Sequence, residues 1–413
     1  MIVGKIHRYT VLYRICLLQK KLSLLQHFHE RLRTLPHHQA LFLLKASFGS
    51  PRFIHTLRTT PCWSSPTLIQ MDNTLKEIIE EILNINLSEI KWTQATLPVS
   101  KGGLGIRSFS QLSLPAFIAS ATGTSRLVDT CLAAIPVGDC EMYTEAINKW
   151  TTATNTDVLP ESILQKEWDK PLCEAQFQSL LSHLNTTEKA TAHHSGDWLH
   201  AMPISKCGFA LSNDEIRISV CLRLGLPIYG DHHCKCGEEV DPLGQHCFTC
   251  KRNNGKHARH SAMNQLIKRE LNRCYIPSQL EPAGLLASNQ LRPDGITVCP
   301  WSRGKQLVWD FTCTHSLSSS NLRATDGESG KAAEFAERRK MSKYAALPQH
   351  LLFMPLAIET LGAYGPQATQ FFKDLSRRHI LALNNPVAGC QLMQRVSIGL
   401  QKGNASCVMF SLH

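Results

Sequence analysis

The sequence predicts a multidomain chain: an α-helical N-terminal half, a small Cys/His zinc knuckle and a C-terminal α/β domain. Three observations carry this. Residues 9–50 and 72–87 repeat apolar side chains at three- and four-residue steps, the period of a helix with one buried face. Four soft ligands, Cys234, Cys236, His246 and Cys250, gather in one short stretch. Beyond residue 257, β-branched and aromatic runs alternate with helical ones, the pattern of a sheet covered by helices.

A length of 413 residues fits two or three domains at about 100–200 residues each. The expected divisions are 1–125, a first helical domain; 126–225, a helical linker region; 226–256, the knuckle; and 257–413, the α/β domain. In the first, Leu12, Ile15, Cys16, Leu22, Leu25 and Phe28 form the apolar stripe, Pro36 interrupts it, and 40–48 resumes it. Leu75, Ile78, Ile79, Ile82 and Leu83 share one face of the next helix. Gly102-Gly103-Leu104-Gly105 reads as a turn before a small-residue helix over 112–121. Residues 122–205 read as helical fragments between polar loops.

Lys and Arg outnumber Asp and Glu, 44 to 33, and the excess is local. Lys251, Arg252, Lys256, Arg259, Lys268, Arg269 and Arg273 face one acid, Glu270, in the same stretch. Such a patch suits a polyanion; alone it equally suits a solvated helix face. No run approaches the roughly 20 apolar residues of a membrane span. The charged N-terminus lacks a small-residue cleavage site, so no signal peptide is expected. The 16 cysteines mostly stand singly in apolar segments, Cys16, Cys131, Cys221 and Cys313 among them. They read as core thiols of an intracellular protein rather than a disulfide framework.

The knuckle is the exception. Cys234-Lys235-Cys236 is followed by a Pro/Gly loop and then by His246 and Cys250, four apart. Three thiolates and an imidazole suit Zn²⁺, and four filled protein positions make the site structural, with none left for water. His232, His233 and Cys247 are alternative ligands. Cys247 adjoins His246 and is expected to point away from a metal that His246 and Cys250 share across one helical turn.

The α/β domain carries the acidic groups. A helix runs through Asn264, Leu266, Ile267 and Leu271, and strands are expected over 277–285, 292–298, 305–313 and 350–359. Helices are expected over 330–347 and 367–378. Asp294 and Asp310 head two of the strands, and Lys340, Lys343 and Tyr344 follow on a helix. Two carboxylates can hold a divalent cation against a phosphodiester, and a nearby ammonium can supply a second positive charge. Alternation along 307–313 places Val308, Asp310 and Thr312 on one face and Leu307, Trp309, Phe311 and Cys313 on the other. Lys340 and Lys343, three apart on one helical face, can each return toward Asp310. Glu270 is an alternative acid or a partner for a lysine; Glu334 and Glu337 are expected to be solvated.

Arg292-Pro293-Asp294-Gly295, Asp310 and the element order α-β-β-β-α-β-α resemble the PD-(D/E)xK nuclease fold, in the variant carried by restriction-like endonucleases of non-LTR retrotransposons. The likeness covers 257–413, with the Cys/His knuckle upstream. Thr312 stands where the common pattern has lysine, and the retrotransposon variants are similar in moving that lysine to the following helix. The segments 40–44, 57–61 and especially 97–107 resemble the region after the polymerase core of retrotransposon reverse transcriptases, a likeness that implies a thumb and connection remnant over residues 1–125. The paired aspartates of a polymerase site are absent, so reverse transcription is not expected from this chain alone.

The resemblance implies a metal-dependent DNA endonuclease with catalytic Mg²⁺ on Asp294 and Asp310 and structural Zn²⁺. Lys340, Lys343 and Tyr344 would be catalytic. Lys251, Arg252, Lys256, Arg259, His260, Lys268, Arg269 and Arg292 would contact nucleic acid. DNA is the implied partner, with retroelement RNA and a polymerase in trans as further ones, no membrane, and a nuclear place of action. The alternatives are a non-catalytic zinc-containing DNA-binding module and a decayed retroelement fragment.

Overall fold

The structure, a computed structural model, describes residues 2–131, 141–185, 189, 196–285, 292–325 and 328–412. It forms two compact units, Met1–His183 and Leu184–His413. Residues 126–225, expected as one linker region, are therefore shared between the units. Cys131 contributes no described side chain.

The first unit is helical: α1 (Ile2–Leu32), α2 (His37–Leu43) continuing into a π-helical turn (Leu44–Phe48), α3 (Ser50–Thr59), α4 (Pro66–Leu83), α5 (Glu89–Thr96), α6 (Phe109–Cys131), α7 (Glu141–Thr154) and α8 (Gln165–His183). Pro66 opens α4 because its missing N–H costs nothing in a first helical turn. Asn84, left-handed at φ 49°, closes it. Leu75, Ile78, Ile79, Ile82 and Leu83 are buried as the spacing requires. The stripe on α1 lies differently from expectation: Leu18, Leu22, Leu25 and Leu32 are buried, whereas Ile15 and Cys16 are exposed. Buried Asp72 of α4 accepts from Phe109 N (2.6 Å) and so caps α6. The glycine turn is required sterically, since a Cβ on Gly103 would stand 2.0 Å from the Leu97 carbonyl oxygen. Arg107 after it donates to Asp169 of α8 at 2.6 Å.

The second unit is α/β. Its elements are α9 (Asn213–Leu224), β1 (His232–His233), β2 (Glu239–Val240), α10 (Gln245–Thr249), α11 (Gly255–Arg273), β3 (Ser278–Leu280), β4 (Gly295–Ser302), β5 (Lys305–Thr314), α12 (Ser319–Thr325), α13 (Lys331–Lys343), β6 (Leu351–Glu359), α14 (Pro366–Leu383) and α15 (Ala388–Phe410). The main sheet runs β3-β4-β5-β6, antiparallel except for the parallel β5–β6 pair.

The alternation in β5 places the site. Leu307, Trp309 and Phe311 pack with Met354, Leu356 and Ile358 of β6 against apolar side chains of α11, α14 and α15. Burying each aromatic ring contributes on the order of 1.5–3 kcal/mol. Val308 packs with Ile296 and Leu351 in a separate cluster that Leu347 and Phe353 complete. Gly295 faces Trp309 in the ladder, and a Cβ there would meet the indole at 2.1 Å. Glycine after Asp294 is thus a packing requirement as well as a turn signal.

Several segments differ from expectation. The strand expected over 277–285 is confined to Ser278–Leu280, because Glu281 takes the left-handed region at φ 48°. The helix expected over 330–347 stops at Lys343, and α12 and α15 add to the expected element order. Glu337 is buried, not solvated. Its carboxylate accepts from Ala357 N of β6 and from Gln367 N and Ala368 N at the start of α14 (3.3, 2.9 and 2.9 Å). Four orphan N–H groups begin every helix, so a carboxylate there removes a large unmet polar demand. Glu270 is also buried; Arg395, rather than a lysine, grips it with both nitrogens (2.9 and 2.8 Å). Glu334 is half-buried and pairs with Lys331 and Arg338.

Candidate functional site

The Cys/His cluster forms from two short elements. β1 and β2 make a hairpin whose turn carries Cys234 and Cys236, with Gly237 N donating to Cys234 O (2.8 Å) and Gly237 at φ 91°. α10 carries His246 and leads into Cys250, whose N–H closes one helical turn on His246 O (2.9 Å). One ligand atom from each of Cys234, Cys236, His246 and Cys250 lies within 4.8 Å of every other. Cys234 and Cys250 Sγ are 3.7 Å apart, and Cys236 Sγ lies 3.2 Å from His246 Nε2. A tetrahedron with Zn–S bonds of about 2.3 Å has S···S edges of about 3.8 Å. Three thiols and an imidazole at these separations can hold zinc.

Two of the three alternative ligands are engaged elsewhere. Cys247 is buried and donates to Ser411 Oγ (3.2 Å), pointing away from the quartet as its position implied. His232 Nδ1 faces Gly230 O (3.1 Å), and exposed His233 belongs to the hairpin ladder. The Glu238 backbone N–H holds the Cys236 thiol below its ordinary range, against burial. Burial first, then the neighbouring thiols, raise Cys250 despite an opposing backbone N–H.

The acidic site sits where β4 begins beside β5. Gly295 pairs with Trp309, so Asp294 stands next to residue 310 on the neighbouring strand. The chain leaves the ladder here. Asp294 N still donates to Trp309 O (3.0 Å), but the next donor, Phe311 N, is met by the Asp294 carboxylate (2.6 Å). Asp310, buried on β5, accepts from Lys340 Nζ of α13 at 2.6 Å. Tyr344, also buried, donates its hydroxyl to Arg292 O (3.1 Å), and its ring packs on Phe353. Burial first, then the nearby Asp310 carboxylate and the charge of Asp294, push its phenol far above the ordinary value.

Of the two candidate lysines, Lys340 is the one brought to Asp310. Lys343 is exposed, with its Nζ 5.2 Å from the centre of the Tyr344 ring. The two carboxylates stand on neighbouring strands, Asp294 facing His260 of α11 and Asp310 facing Lys340 of α13. Among the described residues the gathering of three or more His, Cys, Asp or Glu ligands is the Cys/His quartet.

His260 holds a position that sequence reasoning assigned differently. Expected on the polyanion surface, it lies 3.0 Å from Asp294 Oδ2 through its Nε2. The Asp294 hydrogen bond raises its pKa against burial, and the charges of Asp294 and Asp310 add to it. Burial tends to raise Asp294, but the bond and charge of His260, the Phe311 N–H and Asn264 outweigh it and hold the carboxyl below its usual range. His260 and Tyr344 thus each respond to both aspartates, and the groups form one electrostatic cluster.

Arg259 is a second correction. It is buried, donates to Asn404 Oδ1 (2.8 Å) and lies over Phe248, so it is withdrawn from any phosphate. Lys256 and Arg252 reach the carbonyls of Thr249 and Lys235 at 3.5 Å. Lys251, Arg269 and Arg292 are exposed and Lys268 is half-buried. No family model and no curated protein matches this chain. Among the described residues, no helix is long and apolar enough to cross a membrane.

Proposed function

We propose that the chain is a metal-dependent DNA endonuclease of retrotransposon type, nicking DNA by phosphodiester hydrolysis. The observation that carries this reading is the ion pair between Lys340 and Asp310 (2.6 Å), formed beside Asp294 at the start of β4. Two carboxylates and one ammonium, drawn from two strands and a helix, are the groups phosphodiester hydrolysis uses.

Asp294 and Asp310 fit a magnesium ion by their chemistry, since both offer hard carboxylate oxygens and stand on neighbouring strands. When bound there, magnesium supplies Lewis acidity and offsets phosphate charge. Lys340 places a positive charge where the attacked phosphate gathers negative charge. Tyr344 braces the Arg292 carbonyl and so the entry into β4. Zinc on Cys234, Cys236, His246 and Cys250 is structural. The substrate implies a nuclear place of action, with retroelement RNA and a polymerase in trans as further partners.

A second reading, a non-catalytic zinc-containing DNA-binding module, is favoured by the Cys/His quartet and by the Phe311 N–H already donated to Asp294. Substitution of Asp294 separates the two. If the nuclease reading holds, Asp294→Ala abolishes magnesium-dependent nicking and leaves DNA binding intact. Equal nicking by wild type and variant excludes a catalytic Asp294.

A further inference from the structure

A line of hydrogen bonds runs from the hydrophobic core to Asp294, and its polarity is fixed at its first member. The Trp309 indole N–H can only donate, and it points at Asn264 Oδ1 (3.0 Å). This settles the amide orientation and turns Asn264 Nδ2 toward His260 Nδ1, 3.5 Å away. In the neutral ring, the imidazole nitrogen facing an amide N–H is the acceptor and the proton sits on Nε2; in the imidazolium Nε2 carries a proton as well, so Nε2 is a donor in either state. That nitrogen faces Asp294 Oδ2 at 3.0 Å, the oxygen that also receives Phe311 N (2.6 Å).

His260 and Asn264 lie four apart on α11, on one helical face. Trp309 and Asn264 are buried. The His260 side chain, at 44 % exposed, bridges the core and the open site. A carboxylate that must present one geometry to a cation gains from neighbours that fix its rotamer, and such outer partners commonly alter metal affinity about 10–100-fold.

We infer that His260 and Asn264 are positioning residues, which hold the Asp294 carboxylate in the orientation that receives a divalent cation. This rests on the nuclease reading of the acidic site. It replaces the assignment of His260 to phosphate contact and gives Asn264 a function beyond packing.

The test uses the full-length, zinc-loaded chain with Mn²⁺ as the probe, titrated by isothermal calorimetry and by Mn²⁺ spin resonance in competition with Mg²⁺. His260→Ala and Asn264→Leu should each raise the Mn²⁺ Kd about 10–100-fold. In plasmid nicking, kcat should fall at subsaturating metal while KM for DNA stays the same. His260→Gln keeps an N–H donor at the reach of Nε2 and should restore the Kd to within about threefold of wild type, a rescue that a packing role does not predict. Thermal unfolding of each variant reports whether it is folded.

If Asp294→Asn abolishes Mn²⁺ binding while His260→Ala leaves the Kd unchanged in a folded protein, the positioning role is overturned and the nuclease reading stands. The positioning role is also overturned if His260→Gln is as weak as His260→Ala. If wild type binds no Mn²⁺, or Asp294→Asn binds it unchanged, the nuclease reading fails and the inference fails with it.

Discussion

Lys340 Nζ lies 2.6 Å from Asp310 Oδ1, across 30 residues of sequence, and joins α13 to the central strand β5. Asp310 is buried and Lys340 mostly so, which makes this more than a surface ion pair. Removing the ammonium leaves a buried carboxylate without its main partner. Lys340→Met should therefore lower unfolding stability by about 1–3 kcal/mol and reduce nicking by about 100-fold or more. Lys343→Met should change either by far less, because Lys343 is exposed and does not reach Asp310. Urea unfolding and nicking rates measured side by side on the two variants check this. Equal losses would leave the two lysines as indistinguishable as they are in the sequence.

Metal analysis of purified protein should give about one zinc per chain. Cys236→Ala and His246→Ala should lose it, whereas Cys247→Ala should keep it, since the Cys247 thiol faces Ser411. A folded, zinc-free wild type would rule the site out.

Basic residues of the knuckle's end and α11 should give DNA affinity a steep salt dependence. Charge reversal at Lys268 and Arg269 should flatten the slope of log K against log salt by about 0.9 for each phosphate no longer neutralised. Arg259→Glu should act differently: it places a carboxylate in the buried space now bonded to Asn404, so it should unfold the domain rather than tune affinity. An unchanged slope for Lys268 and Arg269 would show that this face is simply solvated.

His315 supplies a pH dependence of stability. It is buried at the end of β5, stacked on Phe248 at 5.0 Å, with Nδ1 beside Thr360 Oγ1 (3.2 Å). Burial first, then the Arg259 charge, push its pKa from 6.5 down to about 3. Between those values the unfolded chain takes up a proton that the folded chain refuses. Its contribution is thus fully present above about pH 6.5 and is lost as pH falls toward 3, at up to about 1.4 kcal/mol per pH unit. Urea unfolding at about pH 7.5 and pH 5.5, in saturating zinc, should show a smaller drop for His315→Gln than for wild type. An equal drop would place the acid sensitivity elsewhere.

What was legible in the sequence follows physical range. The faces of β5 are set by strict alternation, so Asp310 and the Leu307–Trp309–Phe311 row could be read locally. The Cys/His quartet is compact in sequence, and ligand chemistry alone narrows it. Choosing Lys340 over Lys343 needed the rotation of α13 against the sheet, which no local pattern encodes. His260 was misread because a basic neighbourhood suggests a polyanion, while its real partner lies 34 positions on and depends on α11 packing against β5. Glu337 was misread for a similar reason: the start of α14 that it caps is remote in sequence, and a glutamate on a charged helix gives no sign of burial. Arg259 looks like its neighbours until Asn404, near the far end of the chain, is folded against it.

The catalytic reading of the acidic site is tested most directly by nicking of supercoiled plasmid. The full-length, zinc-loaded chain is assayed in Mg²⁺, with wild type and Asp310→Ala compared at equal DNA occupancy. Wild type should give open-circular product, and none when magnesium is removed with a chelator that leaves zinc in place. Asp310→Ala should lose at least about 100-fold in rate. Wild type that binds the plasmid and leaves it supercoiled, or Asp310→Ala that nicks at the wild-type rate, would contradict a catalytic site at Asp294 and Asp310.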